Sequence, residues 1–152
     1  MELPKPDYKK MMELYTKGAL FHLEDDYENA IKCYKKALAI DPESETVLGE
    51  LGKAYYGLKD FNNADKVFDK ILTLNKESTL ALYNKGCIFA EREDYQKALE
   101  YLDQSLKLFP EDAEAWEKKG DIYLDLDKPL RIYRDPSKKV FGPGIAIDNL
   151  KK

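Results

Sequence analysis

Glycine recurs at Gly18, Gly52, Gly86 and Gly120, each 34 residues after the last and without a slip. A fixed period of this length marks a chain built from one repeated supersecondary unit, so the architecture is read from the repeat before anything else. Other columns keep the same step: the aromatics Phe21, Tyr55, Phe89 and Tyr123, the alanines Ala30, Ala64 and Ala98, and the large residues Tyr34, Phe68 and Leu102. Each column has a packing reason, because a glycine or alanine lets two helix backbones approach closely and a large residue fills the space it leaves. Within a unit the apolar spacing is helical, as in Leu14, Gly18, Phe21 and then Ala30, Ile31, Tyr34, Ala37, Leu38, with a polar break between the two runs. Every unit is therefore expected to be a pair of helices. Asp26, Asp60 and Asp94 are placed to cap the second helix of each pair, and Ser44, Ser78 and Asp112 to cap the next first helix. Pro42 and Pro110 fall where second helices should stop, with Lys76 in their column in the middle unit.

Composition then narrows the function. The 43% of apolar residues suffices for a core without disulfides or metals, and the 36% of charged residues is mixed in sign, as amphipathic helices require. A net charge of −4 argues against a nucleic-acid partner, which calls for clustered basic surface. No apolar run reaches the length of a membrane span, and residues 1–10 carry Glu2, Lys5, Asp7, Lys9 and Lys10 in place of an export signal. With only Cys33 and Cys87, far apart in sequence, the expected location is the reducing cytoplasm. The Lys and Glu enrichment resembles a heat-adapted composition.

These columns resemble the tetratricopeptide repeat, and the short chain is similar to the small archaeal and bacterial members of that family. Leu48, Leu51, Gly52, Tyr55, Ala64, Phe68 and Ile71 follow the signature, as do Trp116, Gly120 and Tyr123. The resemblance implies an all-α fold, a right-handed superhelix of antiparallel helix pairs, with repeats near 11–44, 45–78 and 79–112 and a partial one at 113–127. Lys17, Lys85 and Lys119 stand where a leucine often precedes the glycine, and Ser105 replaces a small apolar residue, departures expected to weaken single contacts. The fourth unit loses its second helix, since Ile132 and Pro136 occupy the columns of Ala30 and Tyr34. Residues 128–152, with Pro129, Pro136 and Phe141-Gly142-Pro143-Gly144, read as an irregular basic tail of net +5, leaving −9 for residues 1–127. The tail is expected to be a disordered end, to cover the last repeat or enter the groove, or to leave that end for another copy.

In this family the first helices line the inside of the superhelix. By register the inward face presents Tyr15 and His22, then Lys53 and Tyr56, then Tyr83, Asn84 and Cys87, then Lys118 and Asp121, and these are the expected peptide-binding residues. Some members grip the C-terminal carboxylate of heat-shock chaperones with a clamp of Lys and Asn on the first helix, Asn on the third, and Lys and Arg on the fifth. At those points this chain has Tyr15, Ala19, Glu50, Leu80 and Asn84, or, shifted by one unit, Gly49, Lys53, Asn84, Glu114 and Lys118, so the clamp is not expected. Glu114, Glu117, Asp121 and Asp125 favour a basic ligand at that end. No phosphate loop, nucleophile elbow or metal-ligand cluster occurs, and His22 is the only histidine, so neither catalysis nor a cofactor is expected. The expected function is a non-catalytic module that binds a peptide segment of a protein partner. The alternative is a self-association module that forms homo-oligomers.

Overall fold

The computed structural model describes residues 5–127. Seven helices and no strands are found among them: α1 (Tyr8–Leu23), α2 (Tyr27–Ile40), α3 (Glu45–Gly57), α4 (Phe61–Leu74), α5 (Thr79–Glu91), α6 (Tyr95–Leu108) and α7 (Ala113–Asp127). The fold is an all-α solenoid of three helix pairs followed by one further helix. The chain divides into two compact units, one up to Glu111 and one from Asp112. In the first unit each helix packs on its chain neighbours, and α1 meets α3, and α3 meets α5, side by side. The expected tail at 128–152 lies outside the described residues.

The caps that open the helices are those the columns predict. Asp26, Asp60 and Asp94 accept a hydrogen bond from the backbone N–H three residues on, as do Ser44 and Ser78, and Asp112 does so for Ala115. The same three aspartates also close the preceding helix. Their backbone N–H groups donate to the carbonyls of Phe21, Tyr55 and Phe89 at 2.9 Å, the six-to-one bond of a Schellman ending. That ending puts the residue before each aspartate in the left-handed region, at φ 57° for Asp25, 59° for Lys59 and 58° for Glu93. Glycine usually takes this position, and its absence here hides the turn from a reading based on glycine.

The glycine column fixes how the pairs close. A Cβ at Gly18 would lie 2.7 Å from the Tyr34 ring, one at Gly52 2.5 Å from Phe68, and one at Gly86 2.8 Å from Leu102. Tyr34, Phe68 and Leu102 are fully buried, with Ala30, Ala64 and Ala98 buried one turn before them. Around these contacts Met11, Ile31, Val47 and Leu51 form one core cluster, and Leu48, Ile71, Ala81 and Ile88 the next. Ser105 is fully buried and donates its hydroxyl to the Thr79 carbonyl at 3.4 Å.

Lys85 does more than weaken a contact. It is 3% exposed, and its ammonium lies 2.5 Å from Asp65 and 2.6 Å from Asp69, which stand one turn apart on α4. Its charge also sits over the rings of Phe89 and Tyr101, which stack on each other with centroids 5.5 Å apart. One repeat earlier the same columns hold Leu51 and Ile31, both in the apolar core. The leucine-to-lysine change on α5 is thus matched by an isoleucine-to-aspartate change on α4. Burial alone would lower the Lys85 pKa, but the hydrogen bonds and charges of Asp65 and Asp69 hold it above the ordinary 10.5. Because the folded value exceeds the unfolded one, the stabilisation is fully present below about pH 10.5 and is lost as pH rises through the folded value.

Two stability series follow from this packing. Gly52→Ala forces its methyl into Phe68 and should cost about 1–3 kcal/mol. Gly86→Ala, whose methyl would lie 2.8 Å from Leu102, should cost a similar amount, so chemical denaturation should show both variants weakened. In the second series, Asp65→Ile with Asp69→Ala strands a buried ammonium and should cost about 3 kcal/mol; adding Lys85→Leu, which copies Leu51 against Ile31, should recover most of it. Alkaline denaturation above pH 10.5 should weaken the native chain relative to that triple variant.

Candidate functional site

The first helices α1, α3 and α5 adjoin within the first unit and carry seven of the nine expected residues. At its start, Tyr15 tilts against Tyr34, ring centroids 6.2 Å apart, and His22 meets Tyr27 edge-on at 5.2 Å. His22 and Lys53 converge on one carboxylate: Nδ1 of His22 lies 3.7 Å from Glu50, and the Lys53 ammonium 2.9 Å from it. Lys53 thus has an acidic companion one turn away on its own helix. Further along, the Tyr56 hydroxyl donates to Glu91 at 3.0 Å, a bond that ties α3 to α5. Burial, and then that carboxylate, hold the Tyr56 phenol well above its ordinary pKa. Tyr83 and Cys87 stand close enough to Tyr56 to act on it electrostatically. The ring of Tyr56 also packs edge-on against Phe61, 5.4 Å away, so its position is set by α4 as well as α3.

Two expected residues are placed differently from what the register suggests, and one neighbour of the face was not expected. Cys87 is buried, 6% exposed, and fills space behind the face. Asn84 is half-buried and turns its amide to the Leu80 carbonyl of its own helix at 2.8 Å. Tyr34 is on a second helix and no groove register would select it, yet its ring underlies Tyr15 and lies 6.4 Å from His22. Its hydroxyl and His22 Nδ1 are buried and make no hydrogen bond among the described residues. Lys118 and Asp121 belong to the second unit, on α7, where Lys118 is half-buried and Asp121 exposed.

The face is a polar and aromatic surface in which carboxylates, an imidazole, an ammonium and phenols are linked between helices. Among the described residues no group of three or more His, Cys, Asp or Glu is placed to hold a metal ion, and no helix is long and apolar enough to cross a membrane. Fold and face together define a helical-repeat protein-interaction module.

The family follows from three matches that run through the array. A TPR-repeat family matches residues 18–59, and tetratricopeptide-repeat families match 46–78 and 79–112. The chain belongs to the tetratricopeptide-repeat family. It is similar to the first such domain of Spaghetti (RPAP3), solved bound to the HSP90 peptide SRMEEVD, with 26% identity and a TM-score of 0.73 over 80% of this chain and 97% of that one. The first TPR domain of human RPAP3 is similar at 26% identity and a TM-score of 0.72, over 77% of this chain and 92% of that one. The Yersinia enterocolitica secretion chaperone SycD, at 13% identity and a TM-score of 0.71 over 78% and 96%, shares the fold. None of the curated proteins compared with the chain matches it.

The Tyr34 hydroxyl gives the site a direct check. A buried hydroxyl with no partner costs folding energy, and Phe68 fills the same column one repeat later without one. Tyr34→Phe should therefore raise stability by about 1 kcal/mol in denaturant melts. A loss of that size would mean that the hydroxyl has a partner in solution.

Proposed function

We propose that the face of α1, α3 and α5 holds an extended peptide segment of a protein partner, and that the chain works as a non-catalytic adaptor or scaffold in the cytoplasm. The observation that carries this reading is the continuous row from Tyr15 through the His22–Glu50–Lys53 group to Tyr56, Glu91 and Tyr83, polar and aromatic at once. Tyrosines offer contact area at low entropic cost, and Lys53, Asn84 and Tyr56 carry groups that bond a peptide backbone. Both cysteines are free thiols, which suits a reducing compartment. The similarity to a domain solved with a chaperone peptide supports a peptide partner.

The partner's chemistry differs from that peptide's. SRMEEVD ends in three acidic side chains out of four, whereas this face sets Glu50 and Glu91 along the row and neutralises Lys53 with Glu50. A carboxylate-rich end would meet like charge, so the segment bound here is neutral or basic. Self-association is supported by a different surface: Tyr8, Met12, Leu20 and Leu23, all half or more exposed on α1.

Selection from a displayed random peptide library tests the proposal. Neutral or basic sequences should be enriched, and Tyr83→Ala with Asn84→Ala should weaken them at least about ten-fold, or 1.4 kcal/mol, with little change in the melting curve. SRMEEVD should bind no tighter than about 1 mM. Peptides that bind the variant equally well would remove the groove from the account. If nothing is enriched and Met12→Lys dissolves an oligomer, self-association takes its place.

A further inference from the structure

Helix α7 keeps the register of a first helix but not its cover. Trp116, Gly120 and Tyr123 continue the columns of Leu48, Gly52 and Tyr55. In each of the three earlier repeats a side chain of the second helix sits against the glycine, within 2.5–2.8 Å of where a Cβ would be. At Gly120 nothing among the described residues lies within 4 Å, while Trp116 is 52%, Tyr123 54% and Leu124 67% exposed. Gly120, Tyr123, Leu124, Leu126 and Asp127 line an open hollow along this side of the helix. The face has the small-residue trough and large apolar flanks of a helix-pair interface.

We propose that this face docks the chain's own residues 128–152. Reach is ample, since α7 has 15 residues, about 22 Å, and the 25 residues that begin where it ends can span several times that length. Charge is complementary: α7 carries five carboxylates against Lys118 and Lys119, and the segment seven basic side chains against Asp135 and Asp148. The segment supplies apolar cover in Ile132, Tyr133, Val140, Phe141 and Ile145. Direct covalent linkage gives this segment an effective concentration that a second copy in dilute solution does not match. A solenoid end needs such a cap, because its last apolar side otherwise stays in water.

Trp116 is the chain's only tryptophan and lies on the face in question, so acrylamide quenching of its fluorescence reads the cover directly. The full chain is compared with full-length Val140→Asp, Phe141→Asp and with Lys138→Glu, Lys139→Glu, each checked for unchanged helix content by circular dichroism. Trp116 is 52% exposed, so docking should make its quenching about two-fold lower in the native chain than in either variant, at every protein concentration. High salt should narrow the gap by screening the charge attraction. Equal quenching in all three proteins would overturn the proposal. So would protection that grows with protein concentration and survives both sets of substitutions, which would assign the face to a second copy.

Discussion

The distance of closest approach at Gly18, Gly52 and Gly86 governs the rest of the molecule. With no side chain there, Tyr34, Phe68 and Leu102 press against the partner helix, and every pair closes in the same way. The alanine one turn before each large residue keeps the approach close along the contact. Repetition of one contact at one spacing makes the pairs alike, and alike pairs set their first helices side by side as α1, α3 and α5. The row of first helices is a consequence of that alignment.

Between the second and third pairs the chain keeps the geometry and changes the chemistry. Where Leu51 and Ile31 make an apolar contact, Lys85 stands between Asp65 and Asp69, its stem and charge laid against Phe89 and Tyr101. A charge in that place is tolerable only because both carboxylates and both rings are there together. The exchange ties α5 to α4 in one register, since any slip would part the ammonium from its partners.

The repeat, the helix pairs, the caps and the proline stops were all legible in the sequence, because each depends on local residue types at a fixed spacing. Asp26 and Ser44 declare their helices wherever they occur. What was not legible depends on residues far apart in the chain. Lys85 looked like a fault in its own column, and its meaning rests on the changes at 65 and 69 on another helix. The same holds in the groove. Tyr56 and Glu91, 35 residues apart, meet across two helices, and Cys87 turns out to be filler because its neighbours close over it. The turns at Asp25, Lys59 and Glu93 escaped notice because an ordinary residue holds a conformation usually left to glycine.

A face of this kind serves a partner by offering many weak polar and aromatic contacts on a stiff frame. The frame comes from the buried columns. That a peptide lies on this face of α1, α3 and α5 is tested by amide chemical-shift mapping on the isotope-labelled chain as a bound peptide is titrated in. The shifts should cluster at Tyr15, His22, Lys53, Tyr56 and Tyr83, with α2, α4 and α6 little changed on their outer sides. Shifts concentrated on the exposed row of α1, at Tyr8, Met12 and Leu20, with the inward face silent, would contradict it.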